Sequence, residues 1–595
     1  MTIISEEKRK WNLDDILNLD KFDGLFSEVE SSMPQYDVFL QKMNPDMSRQ
    51  EFKEFMDFDE KMERNLERLC ERAGLMEAAD QKSEIAKLLK GRSEDLSAKL
   101  ADASRKINHW LKGKEIEGKQ NLDDANARRL FNSVPDLAYV LMSSRDSAKY
   151  TLSEPEEKII AKKDINGVNV LVNLRTLIAT EFNYAFEPKG AESKIINTSS
   201  ELDAYRYSSN SGEREAAFLA QLGKYEQNLD KFFSIYQAVV KDWNDEVKWR
   251  GFSSPISMRN HENNIPDKAI ETLLEACSEN VEVFQNHFKW KAGQLGVDKL
   301  RRFDIYALLE KENVKVPFNK AVKMVLETLN NFSPPFAEKA KMIVDANHID
   351  SHPDEVKEGG AFAASMTPDI IPYIFLNHND TPRDVSVLAH ELGHGIHFLY
   401  SSNHSIKSHN APLPLAETAS TFSEMIMFEE LLKNAPNDFA RKSMLSEKMD
   451  ESYATVMRQN YFVKFEIEAH RAIPQGITAK QLSDIYFKTL EEQFGDSLDI
   501  DPIFRYEWAN IPHIVHTPFY CYAYNFGELL SLSLFSRYKN EGRSFIPKIE
   551  KILSYGGSEN PQKILNEIGV DINSKEFWQG SFDIIKNWQK KLEKY

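Results

Sequence analysis

Apolar side chains recur at helical spacing along most of this chain, and charged residues fill the positions between them. Between residues 20 and 111 the apolar positions include Phe52, Phe55, Met56, Met62, Leu66 and Leu69. A period near 3.6 residues predicts amphipathic helices that each bury one face. The register does not persist for enough heptads to predict a coiled coil. A second long helical stretch is predicted between Glu213 and Trp249, where chain-breaking residues are few.

Residues 358–377 carry the one pattern that is typical of strands. Two short apolar runs, 361–366 and 373–376, flank the turn signal Thr367-Pro368-Asp369. Gly360 directly before the first run allows unusual backbone dihedral angles or a close backbone approach. The sequence therefore predicts a mainly α protein with a single small β-sheet.

A short motif, His390-Glu391-Leu392-Gly393-His394, lies in one of the predicted helices. Thr381 and Pro382 supply an N-cap and a proline at the first helical position. Residues four apart on a helix share one face, so both imidazoles can bind one tetrahedral Zn²⁺. Glu391 can then act as a general base on a water that the zinc activates. Two buried core histidines are the alternative interpretation.

Glycines and a third histidine follow inside the same helix. Gly393 and Gly395 cost about 1 kcal/mol each relative to alanine, which predicts a close approach of another segment. His397 lies seven residues after His390, and seven helical residues rise about 10.5 Å. One zinc ion cannot bind both side chains, so we expect His397 to serve packing or the substrate side.

A catalytic zinc needs a third protein ligand and one open position. Glu417 and Glu424 follow a Pro-Leu-Pro run, and we expect them on one face of a new helix, seven residues apart. Glu417 is the predicted third ligand. Glu424 is predicted to accept a hydrogen bond from the second ring nitrogen of a ligand histidine. The alternative is that both carboxylates lie on a solvated face.

A second cluster of polar aromatic residues lies near the C-terminus. It contains His513, His516, Tyr520, Tyr522 and Tyr524. Attack of water on a peptide carbonyl develops an oxyanion that O–H or N–H donors stabilise. We expect His513 and Tyr520 to be catalytic donors, and His516 and Tyr524 to contact substrate, whereas dense aromatic residues otherwise indicate core.

Composition excludes several other classes of function. The chain of 595 residues has a formal net charge of −18, which argues against binding nucleic acid or an anionic membrane surface. It has no apolar run long enough to span a bilayer. Residues 1–9 are polar without an apolar signal core, and the three cysteines lie far apart, so we expect a cytoplasmic protein without disulfides.

Several stretches together resemble the oligoendopeptidase F branch of the M3, or thimet-oligopeptidase-like, metallopeptidases. They are Trp11–Ile16, Leu152–Glu157, Leu300–Tyr306, Gly360–Asn377, the helix of His390 and Leu415–Ser420. The resemblance covers nearly the whole chain and is weakest between Asp20 and Lys112.

The resemblance implies one zinc ion per chain and a helical body around a deep channel that admits short peptides. It also implies an N-terminal helical region at 1–111, a helical domain at 112–195 and a catalytic domain at 196–595. Members commonly carry a tyrosine a few residues after the catalytic histidine, whereas Val515 and other residues intervene here. Tyr520, Tyr522 and Tyr524 therefore all stay open as that tyrosine.

The predicted function is zinc-dependent hydrolysis of internal peptide bonds in short oligopeptides. The edge of the small sheet, at Gly360, Ala361 and Phe362, is predicted to bind an extended peptide through main-chain hydrogen bonds. One alternative is a related helical zinc carboxypeptidase or dipeptidyl carboxypeptidase. The other is a non-catalytic, zinc-stabilised peptide-binding protein, in which Glu391 would have no use.

Overall fold

The computed structural model describes residues 9–190, 192–309 and 315–595. The prediction that no export signal is present concerns the N-terminus, of which residues 1–8 lie outside the described residues. About 71 % of the described residues are helical and the sheets among them are small, so the predicted mainly α fold is confirmed. No helix in the described ranges combines the length and the apolar character needed to cross a bilayer.

The chain forms two compact units, each assembled from three segments. The first comprises the described parts of Met1–Lys149, Val314–Lys433 and Arg537–Val570. The second comprises those of Tyr150–Asn313, Asn434–Ser536 and Asp571–Tyr595. The predicted domain boundaries after residues 111 and 195 stay predictions.

The first two segments of the chain are almost entirely helical. Residues 9–149 form α1 (Phe22–Ser32), α2 (Gln35–Lys42), α3 (Arg49–Ala79), α4 (Glu84–Leu111), α5 (Asp124–Phe131) and α6 (Ala138–Asp146). Residues 150–309 form α7 (Glu154–Asn166), α8 (Val168–Thr180), β1 (Tyr184–Phe186), β2 (Lys194–Ile196), α9 (Ser199–Ala204), α10 (Ser211–Gln227), α11 (Leu229–Arg250), α12 (Pro255–Glu262), α13 (Asp267–Glu279), α14 (Val281–Gln294) and β3 (Leu300–Arg301).

The remaining elements include those that carry the predicted chemistry. Residues 315–433 form α15 (Phe318–Phe332), α16 (Pro334–Asp345), β4 (Ile349–Asp350), β5 (Phe362–Ala364), β6 (Tyr373–Phe375), α17 (Pro382–Tyr400), α18 (Ile406–His409), α19 (Leu413–Ala416) and α20 (Thr418–Lys433). Residues 434–595 form α21 (Asp438–Ser452), α22 (Arg458–Ala472), α23 (Ala479–Phe494), β7 (Leu498–Asp499), α24 (His513–His516), α25 (Tyr522–Glu541), α26 (Ile546–Ser554), α27 (Pro561–Glu567) and α28 (Lys575–Leu592).

The long helices predicted between residues 20 and 111 are α3 and α4. The apolar positions of α3 are buried together with those of α1, α2, α4 and α5 in one core of the first unit. The helix predicted between Glu213 and Trp249 is instead two helices, because the backbone turns at Asn228 (φ −112°, ψ 17°) between α10 and α11.

The small sheet of the first unit has the strand order β4-β6-β5. Strand β5 pairs antiparallel with β6, with Ala363 opposite Ile374, and the two predicted strands are therefore confirmed. Strand β4 pairs parallel with β6 and was not predicted, because two residues carry no periodic pattern. Gly360 has φ +91°, a dihedral angle that glycine adopts readily. Strand β5 is an edge strand next to β6.

Candidate active site

Helix α17 begins with the predicted cap. The Thr381 side chain accepts a hydrogen bond from the Asp384 backbone N–H, and the Asp384 carboxylate accepts one from the Thr381 backbone N–H. This reciprocal capping box satisfies donors that a helix start leaves unpaired. Val385, Leu388 and Leu392 are fully buried on the core side, which fixes the rotation of the helix about its axis.

The two glycines of α17 lie where neighbouring segments approach closely. A Cβ atom at Gly393 would lie 2.5 Å from the Ser420 Cα atom and 2.6 Å from the Ala419 carbonyl oxygen of α20. A Cβ atom at Gly395 would lie 2.4 Å from Ile343 Cδ1. The predicted close approach is therefore confirmed, and the absence of a side chain at Gly393 lets the backbone of α20 reach α17.

This approach brings Glu417 to the two histidines. Its Oε2 atom lies 3.4 Å from His390 Nε2 and 3.3 Å from His394 Nε2. Ligand atoms held tetrahedrally at 2.0–2.1 Å from Zn²⁺ lie about 3.3–3.4 Å from one another. The three side chains therefore fit one zinc ion. Ser420 Oγ donates a hydrogen bond of 2.8 Å to the same Glu417 oxygen and orients the carboxylate.

Glu417 lies just outside the helix in which it was expected. It occupies the turn (φ −84°, ψ 0°) between α19 and α20, and α20 begins at Thr418. Helix α19 is only four residues long and starts at the Pro-Leu-Pro run. The prediction of one continuous new helix was wrong at this point, because the chain turns before the second helix begins.

Glu424 contacts the second ring nitrogen of His390. Its Oε2 atom lies 3.0 Å from His390 Nδ1. With Nε2 directed at Glu417, Nδ1–H is the donor of this bond. Burial lowers the pKa of His390, but the hydrogen bonds to Glu417 and Glu424 outweigh it and raise the pKa to about 10.

Glu391 is a buried carboxylate on the same helix, with 7 % of its surface exposed. Burial raises its pKa above the ordinary value, against the opposing effect of the two histidines. A raised pKa makes the carboxylate a stronger proton acceptor, which suits a general base.

His397 is fully buried and hydrogen-bonds to the Ala416 backbone. Burial lowers its pKa to about 3, so the ring is neutral. Its Nε2 atom has no hydrogen-bond partner among the described residues, so Nδ1 is the donor to the Ala416 carbonyl. His397 thus attaches α17 to the residue that precedes Glu417.

A cavity of about 440 Å³ lies beside these residues in the first unit. Its lining comprises Glu71, residues 362–365, His394, His397, Phe398, Asn410, Ala411 and Ala416. The edge strand β5 and a candidate metal ligand therefore border the same space. Phe362 lines this cavity, whereas Gly360 and Ala361 lie in the loop that leads into β5.

Comparisons with known proteins show the family to which the chain belongs. The family model for Peptidase family M3 matches residues 204–584. The chain belongs to peptidase family M3. The predictions that it is a member of this family and a metalloendopeptidase are thereby confirmed.

Relatives of this M3 peptidase match it over most of its length. It is 29 % identical over 444 residues to an oligoendopeptidase F homolog of Borreliella burgdorferi, covering 74 % of each chain. It is 25 % identical to the group B oligopeptidase PepB of Streptococcus agalactiae, over 99 % of this chain and 97 % of that protein.

Solved structures show the same fold. A crystal structure from Chlamydophila abortus superposes with a TM-score of 0.88 at 22 % identity, covering 99 % of this chain and 98 % of that chain. The oligoendopeptidase-F of Enterococcus faecium superposes with a TM-score of 0.70 at 21 % identity, covering 97 % and 98 %.

The C-terminal cluster of the M3 peptidase lies in its second unit. His513 Nε2 lies 3.1 Å from the Tyr524 hydroxyl. The Tyr520 ring centroid is 6.2 Å from that of His513 and 5.2 Å from that of Tyr524. Tyr522 is fully buried, and its hydroxyl accepts a hydrogen bond from Asn263 Nδ2 at 2.7 Å. Tyr520 and Tyr524 thus accompany His513, while Tyr522 belongs to the core.

His516 contacts a different element. Its Nε2 atom lies 3.4 Å from Thr176 Oγ1 on α8. Burial, followed by the positive charge of Arg175, lowers the pKa of His516. The structure does not bring it into ring contact with Tyr520, so the predicted contact of His516 with substrate stays a prediction.

Glu466 and Arg259 hold the loop that carries Tyr520, and the sequence analysis assigned neither of them a role. Phe519 has φ +60°, which is rare for a residue other than glycine. Its backbone N–H donates to Oε1 of the buried Glu466 carboxyl group at 2.7 Å, and Arg259 Nε donates to the Pro518 carbonyl at 3.0 Å. No local pattern signals these contacts, since Glu466 lies 53 residues before Phe519.

Proposed function

We propose that this M3 peptidase is a cytoplasmic zinc endopeptidase that cleaves internal bonds of short oligopeptides. The observation that carries the proposal is the spacing of His390 Nε2, His394 Nε2 and Glu417 Oε2, which suits a tetrahedral zinc ion. Glu391, which a purely structural site would not need, follows the first of these residues. The wide separation of the three cysteines supports a reducing compartment.

His390, His394 and Glu417 would hold one zinc ion per chain, with Glu424 keeping the His390 ring in place. When bound, zinc supplies Lewis-acid chemistry that polarises a carbonyl and makes water a stronger acid. Glu391 accepts the proton of the attacking water and passes it to the leaving amine.

The peptide itself would be bound by backbone groups. Strand β5 is an edge strand, and an extended peptide can pair with such an edge through main-chain hydrogen bonds. Phe362 lines the cavity that also reaches His394, so we propose that Gly360, Ala361 and Phe362 bind substrate here. Main-chain pairing does not depend on the side chains of the substrate.

His513 and Tyr520 are proposed to donate hydrogen bonds to the oxyanion. Burial, followed by nearby positive charges such as Arg458, lowers the pKa of His513. Its ring is then neutral near pH 7 and has one N–H to donate. We propose that Tyr524, which shares a hydrogen bond with His513, contacts substrate and orients this ring, and that His516 contacts substrate.

The test is product mapping by mass spectrometry on peptides of graded length, with free and with blocked ends. We expect cleavage of end-blocked peptides, loss of cleavage with a chelator and recovery on adding zinc. Glu391→Gln should keep its zinc and lose activity, whereas Glu338→Gln on the exposed surface of α16 should change neither. Full activity of Glu391→Gln would refute this mechanism, and cleavage restricted to free C-termini would indicate a carboxypeptidase.

A further inference from the structure

One carboxylate projects from α3 into the lining of the cavity beside the candidate metal site. Glu71 is the only acidic residue among the described residues that line this cavity. Phe362 and Phe398 contribute aromatic side chains to the same lining, and His394 belongs both to this lining and to the ligand cluster. The cavity volume of about 440 Å³ is within the range of about 300–1,000 Å³ that small ligands occupy.

Glu71 has no counter-charge among the described residues. Some other carboxylates of α3 pair with lysines, for example Glu63 with Lys407 and Glu77 with Lys90. Glu71 is half-buried and forms neither a hydrogen bond nor an ion pair with any described residue. Burial, followed by the neighbouring carboxylate of Glu67, raises its pKa to about 7. Partly desolvated carboxylates usually have a cationic partner.

A second residue of the cavity lining, His397, has a buried acceptor atom. Because the Nδ1–H of His397 is directed to the Ala416 backbone, its neutral Nε2 atom carries a lone pair without a donor in the described residues. His397 is 3 % exposed. A buried acceptor without a donor is costly, but this nitrogen has almost no surface open to the cavity, so Glu71 is the acceptor that a bound cation can reach.

We propose that Glu71 binds a cationic group of the peptide substrate, an ammonium or guanidinium, in this cavity. The inference rests on the endopeptidase function proposed above. A peptide paired with β5 projects alternate side chains to opposite faces. The apolar stem of a lysine or arginine can then pack on Phe362 or Phe398 while its charged end reaches Glu71. In very short peptides the free α-amino group offers the same chemistry.

The experiment compares matched peptides that differ by one charge. Product mapping first identifies the substrate position at which lysine or arginine is enriched, and norleucine then replaces that lysine. A parallel pair carries a free or an acetylated N-terminus. We expect kcat/KM to fall roughly 10- to 100-fold with the lost cation in one of these two pairs, which distinguishes a side chain from the α-amino group.

Substitutions at Glu71 test whether this side chain causes the preference for a cationic group. Glu71→Gln should cleave charged and uncharged peptides equally well, and Glu71→Lys should favour peptides with aspartate or glutamate at that position. Glu67→Gln is the matched control, one helical turn away and outside the cavity lining, and should keep the cationic preference.

The outcomes separate this inference from the proposed function. A wild-type enzyme that cleaves with zinc but without a cationic preference would refute the role of Glu71 alone. So would a preference that survives in Glu71→Gln. Absence of any zinc-dependent cleavage by the wild type would refute the proposed function itself.

Discussion

The contact at Gly393 gives a quantitative test of how the candidate metal site is assembled. An alanine Cβ there would lie 2.5 Å from the Ser420 Cα atom, about 0.9 Å short of the 3.4 Å at which ordinary contact begins. Both nearest obstacles, Ser420 Cα and the Ala419 carbonyl oxygen, belong to the backbone of α20. Relief therefore requires moving the helix itself, because no side chain can rotate away.

The free-energy cost of a side chain at position 393 can be estimated by comparing Gly393→Ala with the same substitution at a glycine that has free space around it. Gly74 lies inside α3, and a Cβ there would meet no atom within 4 Å. Gly74→Ala should stabilise the protein by about 1 kcal/mol through helix propensity alone. Gly393→Ala gains the same term but overpacks the contact, which typically costs about 1–3 kcal/mol. Its free energy of unfolding should therefore be about 1–3 kcal/mol below that of Gly74→Ala.

A movement of α20 away from α17 should also displace the candidate metal ligand Glu417. Glu417 directly precedes α20, and protein–metal distances tolerate deviations of only about 0.2 Å. Gly393→Ala should therefore bind zinc more weakly. Gly395→Ala is the control within α17, because its nearest obstacle is the far end of the Ile343 side chain, at 2.4 Å, which can rotate.

The assays are denaturant unfolding in the presence of a chelator and zinc competition against a chromophoric chelator. Unfolding without metal removes the stabilisation that zinc itself contributes. If Gly393→Ala unfolds like Gly74→Ala and binds zinc like the wild type, the reasoning is refuted. The helices would then separate without cost and the ligand geometry would not depend on this contact.

Three further changes test other parts of the site. Glu424→Gln should weaken zinc binding about 10- to 100-fold, since the partner of His390 loses its charge; unchanged affinity in chelator competition would contradict this. Tyr520→Phe should lower kcat about 10²- to 10³-fold with zinc content unchanged, and a pure effect on KM would exclude an oxyanion role. The pKa of buried Glu466 is raised to about 8, first by burial, above the ordinary 4.5. The contribution of Glu466 to stability is then fully present below pH 4.5 and falls by about 1.4 kcal/mol per pH unit as the pH rises towards 8. Glu466→Gln should lack this slope in denaturant titrations, and a slope equal to that of the wild type would count against the assignment.

The sequence predicts features that depend on short spacings. His390 and His394 share a face because they are four residues apart on one helix, and Thr381 caps that helix through a residue three positions away. The two strands of the small sheet were also predictable, because a turn signal separates two apolar runs. In each case the information lies within about twenty residues.

Features that depend on distant segments were not predictable from one sequence. Glu71 and His394 line one cavity although more than 300 residues separate them. Glu466 supports the loop of Tyr520 from another helix. Local breaks also escaped prediction: Asn228 and Glu417 lie in turns within otherwise helical patterns. Tertiary packing decides such turns, and periodicity alone does not report it.

Gly393 connects these two kinds of information. Helix periodicity places the two histidines on one face, but it does not say how near a third ligand can come. A glycine between them is costly for a helix unless something requires it, and here the backbone of α20 occupies the space of the missing Cβ. The glycine between the two histidines therefore indicates that the segment of Glu417 packs closely against this helix, although that segment lies outside the motif. In other helical metal sites, an unexplained glycine between ligand positions should likewise indicate the face on which the next ligand segment packs.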